Sequence, residues 1–155
     1  MNPVFTSLVA VVGTLAGATL TFLFQRHLVR QSERFARGQQ LWQEKAAAYT
    51  MLIASLTDFR RSQNDRWHLE QDDPDGVDVV RAREESYQRR ADATAAVCRV
   101  RLVCGDAALG QVAQDALDAA TDVHLAMSEQ DRAERGRAAR LALEGFLAMA
   151  ASQIL

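Results

Sequence analysis

The sequence predicts an all-α protein: a single N-terminal transmembrane helix continuing into an antiparallel cytoplasmic four-helix bundle. Three observations predict it. Helix breakers are scarce, with two prolines and eight glycines in 155 residues, and Ala, Leu, Arg, Gln and Glu are abundant. The first part of the chain holds a long uncharged run. Beyond it, apolar side chains recur at helical spacing between a few turn-like breaks.

The uncharged run is VFTSLVAVVGTLAGATLTFLF, residues 4–24. At about 1.5 Å per residue it spans about 31 Å, close to the thickness of a bilayer's hydrocarbon layer. Only Met1, Asn2 and Pro3 precede it, so it lacks the basic start of a cleavable signal peptide. Arg26, Arg30, Arg34 and Arg37 follow it against the single Glu33. Clustered arginine on one flank marks the cytoplasmic side. The expected localisation is therefore the cell membrane, single-pass, with the N-terminus outside and the C-terminal domain cytoplasmic. The expected domains are an anchor over 1–25, a basic juxtamembrane helix over 26–41 and a helical bundle over 42–155.

Within the run, Gly13, Gly17 and Thr21 stand four apart, a spacing that lets two membrane helices approach closely. With Arg26 set at zero on a helical wheel, these three fall at about 140°, 180° and 220°. Leu28, Phe35 and Trp42 fall at about 200°, 180° and 160°, so the small-residue face lines up with the apolar stripe that follows it. The four arginines cluster on the opposite side, where they suit lipid headgroups and set topology. Small residues at this spacing also arise from composition alone in Ala- and Gly-rich runs.

The first bundle helix carries Leu28, Phe35, Trp42, Tyr49 and Leu56 at seven-residue intervals, joined by Leu52, Ile53 and Phe59. The companion positions Gln31, Gly38 and Lys45 are not apolar, so the early part makes a poor two-stranded seam. From Trp42 onward the stripe widens to what a bundle core needs. DDPDG at 72–76 breaks the helix. A second helix over 77–103 is expected to face inward with Val80, Tyr87, Ala91, Thr94, Cys98 and Leu102. Gly105 supplies a stop and Asp106 an N-cap for a third helix over 107–127, which carries Leu109, Val112, Ala116, Ala120 and Val123. Ser128 with Asp131 starts a fourth helix in capping-box fashion, bearing Leu141, Leu143, Phe146, Leu147 and Ile154. Short connections make the four helices antiparallel neighbours, with 104–106 and the C-terminus at one end and the 70–78 loop at the other.

Composition narrows the function classes. The net charge is −2, so no global basic field recruits nucleic acid. Cys98 and Cys104 lie about 600° apart on a helix and cannot bridge without breaking it; they read as small buried apolar residues. The three histidines, His27, His68 and His124, are scattered. Aligning Gly76 with the turn glycine of a calcium loop puts Ala82 where a bidentate Glu is required. No nucleophile has an evident partner base, and no glycine-rich phosphate loop is present. No catalysis and no cofactor are expected.

One polar segment, 60–78, carries Arg60, Arg61 and Arg66 beside Trp67 at the distal tip. Trp and Arg are enriched where proteins bind each other, which makes these four a candidate partner surface. A Trp that closes the end of the core is the alternative. The reading is a membrane-anchored helical interaction or scaffold protein that self-associates or docks a partner, in contact with membrane lipid and with a protein partner or a second copy. The alternatives are a small accessory subunit of a larger membrane enzyme or transport complex, and a membrane-bound ligand sensor.

Overall fold

A computed structural model of the chain describes the backbone of residues 3–153 and the side chains of residues 36–153. The described backbone is helical, with no strand: α1 runs Pro3–Asp72, α2 Val77–Cys104, α3 Ala107–Thr121 and α4 Glu129–Ser152. A short 3-10 turn, Asp122–Leu125, follows α3. The chain divides into two compact units, Met1–Leu41 and Trp42–Leu155, and the second holds the bundle.

Each boundary has a local cause. DDPDG ends α1 at Asp72, and α2 restarts directly after Gly76. Gly105 closes α2 in the left-handed region at φ 65°, where a side chain would be strained. Asp106 then caps α3, its carboxylate accepting the N–H groups of Ala108 at 2.8 Å and Leu109 at 3.4 Å. Ser128 caps α4 by accepting the Asp131 N–H at 3.1 Å, and Asp131 reciprocates by accepting the Met127 N–H at 2.9 Å. The third helix is shorter than expected. It gives way at Asp122 to the 3-10 turn, and the chain is extended at Ala126.

Side-chain bonds between sequence-distant residues show an up-down-up-down bundle. At one end Cys104 donates to the Tyr49 hydroxyl at 3.1 Å, Tyr49 donates to Gln153 Oε1 at 3.2 Å, and Gln153 Nε2 donates to Asp106. At the other end Trp67 Nε1 donates to the Ala126 carbonyl at 2.8 Å and Arg83 pairs with Glu70 at 3.2 Å. Thus 104–106 and the end of α4 share one end, as the sequence predicts.

The core is built on Leu52, Leu56, Phe59, Leu109 and Phe146, with the Tyr49 and Phe146 rings edge to face at 5.8 Å. Around them pack many alanines, among them Ala93, Ala96, Ala113 and Ala116. Burying each large side chain contributes about 1.5–3 kcal/mol, and the alanines let the helices approach closely. A polar knot sits inside: Ser86 Oγ donates to Gln63 Oε1 at 2.5 Å, and Gln63 Nε2 donates to the Thr121 carbonyl at 3.1 Å. Gln63 and Ser86 are almost fully buried, so these bonds offset the cost of removing both amide and hydroxyl from water.

Several expectations are corrected. Helix α2 turns inward not Val80, Tyr87, Ala91, Thr94, Cys98 and Leu102, all of which are exposed, but Val79, Ser86, Ala93, Ala96, Val97 and Val100. Its small side chains face the core, and Gln63 draws Ser86 inward. Leu141 and Leu147 of α4 are also exposed, leaving Ala139, Phe146 and Ala150 as its buried face. The single-pass membrane localisation is corrected as well: among the described residues no helix is long and apolar enough to cross a membrane. From residue 36 on, charged side chains interrupt every apolar stretch of α1. The expected packing residues Gly13, Gly17 and Thr21 lie outside the residues whose side chains are described, and so do Arg26, Arg30 and Arg34. Arg37 is described and exposed.

Candidate functional site

Helices α1 and α4 leave between them a cleft of about 450 Å³ walled by arginine. Arg60 and Arg61 come from adjacent positions of α1, with Asn64 about one turn further on. Arg132, Arg137 and Arg140 come from α4, whose Ala133 and Gly136 form a low floor between them. Both floor residues are small, and a Cβ at Gly136 would meet nothing within 4 Å. Val123 of the 3-10 turn closes the bottom.

The five arginines are not equivalent. Arg132 is held on every side: it pairs with Glu129, donates to Asn64 Oδ1, and stacks over the Trp67 ring with its guanidinium 5.5 Å from the ring centre. Arg135, one turn along, points elsewhere and pairs with Asp131 at 2.8 Å. By contrast, no carboxylate among the described residues pairs with Arg60, Arg61, Arg137 or Arg140. Arg60 is half-buried, and its Nε–H is buried with no hydrogen-bond acceptor. Burial first, then the neighbouring charges of Arg140 and Arg61, push its pKa down from the usual guanidinium value. The cleft thus holds concentrated, uncompensated positive charge in a protein whose net charge is −2. Such a site attracts anions, and guanidinium groups match planar or tetrahedral oxyanions two bonds at a time.

The four sequence candidates divide evenly. Arg60 and Arg61 line the cleft. Arg66 instead pairs with Glu70 at 2.9 Å, and Glu70 also takes Arg83. Burial alone would raise the Glu70 pKa, but the two arginines outweigh it and hold the carboxyl below its ordinary value. Trp67 is only 6% exposed and packs in the core. It follows Phe59 and Gln63 at four-residue steps on the core face, and its indole N–H is spent on Ala126. The arginines of α4 were missed. Their signal is RAERGRAAR, 132–140, which alternates basic with small residues ahead of the apolar half of α4.

A second depression of about 420 Å³ lies further along the same two helices, lined by Ala46, Tyr49, Ile53, Leu147 and Ala150. It is almost wholly apolar. Burial, then the Cys104 hydrogen bond, raises the Tyr49 pKa, so the phenol stays protonated and serves as a structural link.

The family model described as KilB plasmid transfer protein matches residues 46–154. The chain belongs to the KilB plasmid transfer protein family. The matched stretch contains the arginine cleft and the apolar depression alike. Neither the curated proteins nor the solved structures hold a match.

Proposed function

We propose that this KilB-family chain is a non-catalytic interaction component of plasmid transfer that self-associates through the apolar stripe of α1. The observation that carries the reading is Trp42. It stands one heptad before Tyr49 on the same line of the helix, yet it is 50% exposed where Tyr49 is 3% exposed. Leu41 beside it is similarly exposed. The core-facing stripe therefore runs on past the point where the other helices cover it. In the sequence it continues upstream at the same interval through Phe35 and Leu28. With Gln31, Gly38 and Lys45 at the companion positions the stripe is one residue wide and makes no continuous seam, so the contact is a local patch around Trp42, and a two-fold pairing covers that same patch on both chains. An exposed Trp at the centre of such a patch is a favoured anchor.

Sedimentation equilibrium of the full chain tests the proposal. Wild type is expected to associate as concentration rises, and Trp42→Glu is expected to weaken association at least tenfold while leaving helical circular dichroism unchanged. The same variant is expected to lower the frequency of plasmid transfer. A chain that stays monomeric at every concentration, or that forms a one-to-one complex with a different transfer protein and no homo-oligomer, would overturn it in favour of an accessory subunit.

A further inference from the structure

We propose that the arginine cleft between α1 and α4 is a binding site for a compact anion carrying two or three adjoining phosphate groups. Four of its arginines have no carboxylate partner among the described residues, and the cleft has room for a small ligand but not for a folded domain. A single carboxylate cannot balance that charge, whereas a di- or triphosphate brings three or four negative charges in a small volume. Arg60 points the same way: its Nε–H is buried without an acceptor, so among the described residues this guanidinium is the one whose hydrogen bonding the fold leaves incomplete. Asn64 and Arg132 are already fixed to each other, so one wall stands before any ligand arrives. None of the residues lining the cleft is aromatic, and the face of the adjoining Trp67 ring is taken by Arg132, so the cleft walls offer no aromatic ring to stack a base. Recognition therefore falls on the phosphate groups, whether they belong to an inorganic polyphosphate or to the tail of a nucleotide.

The test is titration calorimetry of the full chain with tripolyphosphate at fixed ionic strength. One site per chain is expected, weakening as chloride is added. Arg60→Gln combined with Arg140→Gln is expected to lose at least tenfold in affinity. Gly136→Leu keeps every charge, places its Cβ where nothing lies within 4 Å, fills the floor and is expected to lose binding equally; it decides the matter if the double variant fails to fold. Arg89→Gln, a half-exposed arginine of α2 that pairs with Glu85 and does not line the cleft, is expected to bind as wild type. Equal binding of tripolyphosphate and a nucleoside triphosphate places recognition on the phosphates, and tighter binding of the nucleotide identifies it as the source. The proposal is overturned if wild type does not bind, if the cleft variants bind undiminished, or if a polyglutamate peptide or a single-stranded oligonucleotide binds while tripolyphosphate does not.

Discussion

Trp67 shows how one residue type supports two opposite readings. Beside three arginines it has the composition of a contact surface, and only the four-residue steps from Phe59 through Gln63 place it in the core. Its ring is buried under Arg132 and its N–H holds the Ala126 carbonyl, so it ties α1 to the segment just before α4. Trp67→Ala is expected to cost about 3–5 kcal/mol, from the cavity and the unsatisfied carbonyl together. Trp67→Phe keeps most of the volume and is expected to cost about 1–2 kcal/mol. Urea unfolding measures both, and a loss below about 1 kcal/mol for Trp67→Ala would return this side chain to the surface. Arg60 and Arg61 were legible as candidates because charge runs are visible in sequence. That Arg132, Arg137 and Arg140 complete their cleft was not, because it depends on which face of α4 meets α1.

Elements were legible where a single residue sets the backbone. Gly105, Asp106 and Ser128 each mark the boundary at which they stand, since left-handed geometry and N-capping are local chemistry. Gly105→Ala, at φ 65°, is expected to cost about 1–2 kcal/mol and to lower the melting temperature by several degrees. Thermal unfolding followed by circular dichroism checks it, and an unchanged melting point would mean that α2 can end in another way. The inward face of α2 was not legible. Ranking its positions by apolar bulk selects Val80, Tyr87 and Leu102, each adjacent to or within two residues of the truly buried Val79, Ser86 and Val100. What orients the helix is the fit of its alanines against neighbouring helices and the bond from Ser86 to Gln63. The bond joins residues 23 apart in sequence, and the fit depends on how whole helices meet.

At the scale of the molecule, the pH dependence of stability follows from where its titrating groups are buried. His124 sits beside the Gln63 knot, its Nδ1 2.9 Å from Gln63 Nε2 and 2.7 Å from the Thr121 carbonyl. Burial lowers its pKa below the ordinary 6.5 in spite of the Thr121 carbonyl, and Arg66 and Arg90 add to the lowering more than Glu70 opposes it. Above pH 6.5 folded and unfolded chains both carry a neutral ring. As the pH falls below 6.5 the unfolded chain takes the proton first, so stability declines until the folded ring is protonated too. A second decline starts below about pH 4.5, where Glu70, held ionised by Arg66 and Arg83, is forced to accept a proton. The urea midpoint of wild type is therefore expected to be lower at pH 5.5 than at pH 7.5. His124→Gln removes the first titration and leaves the second, so its midpoint is expected to change little between those two pH values. Parallel losses in the two proteins would move the sensitivity away from His124 and on to the carboxylates.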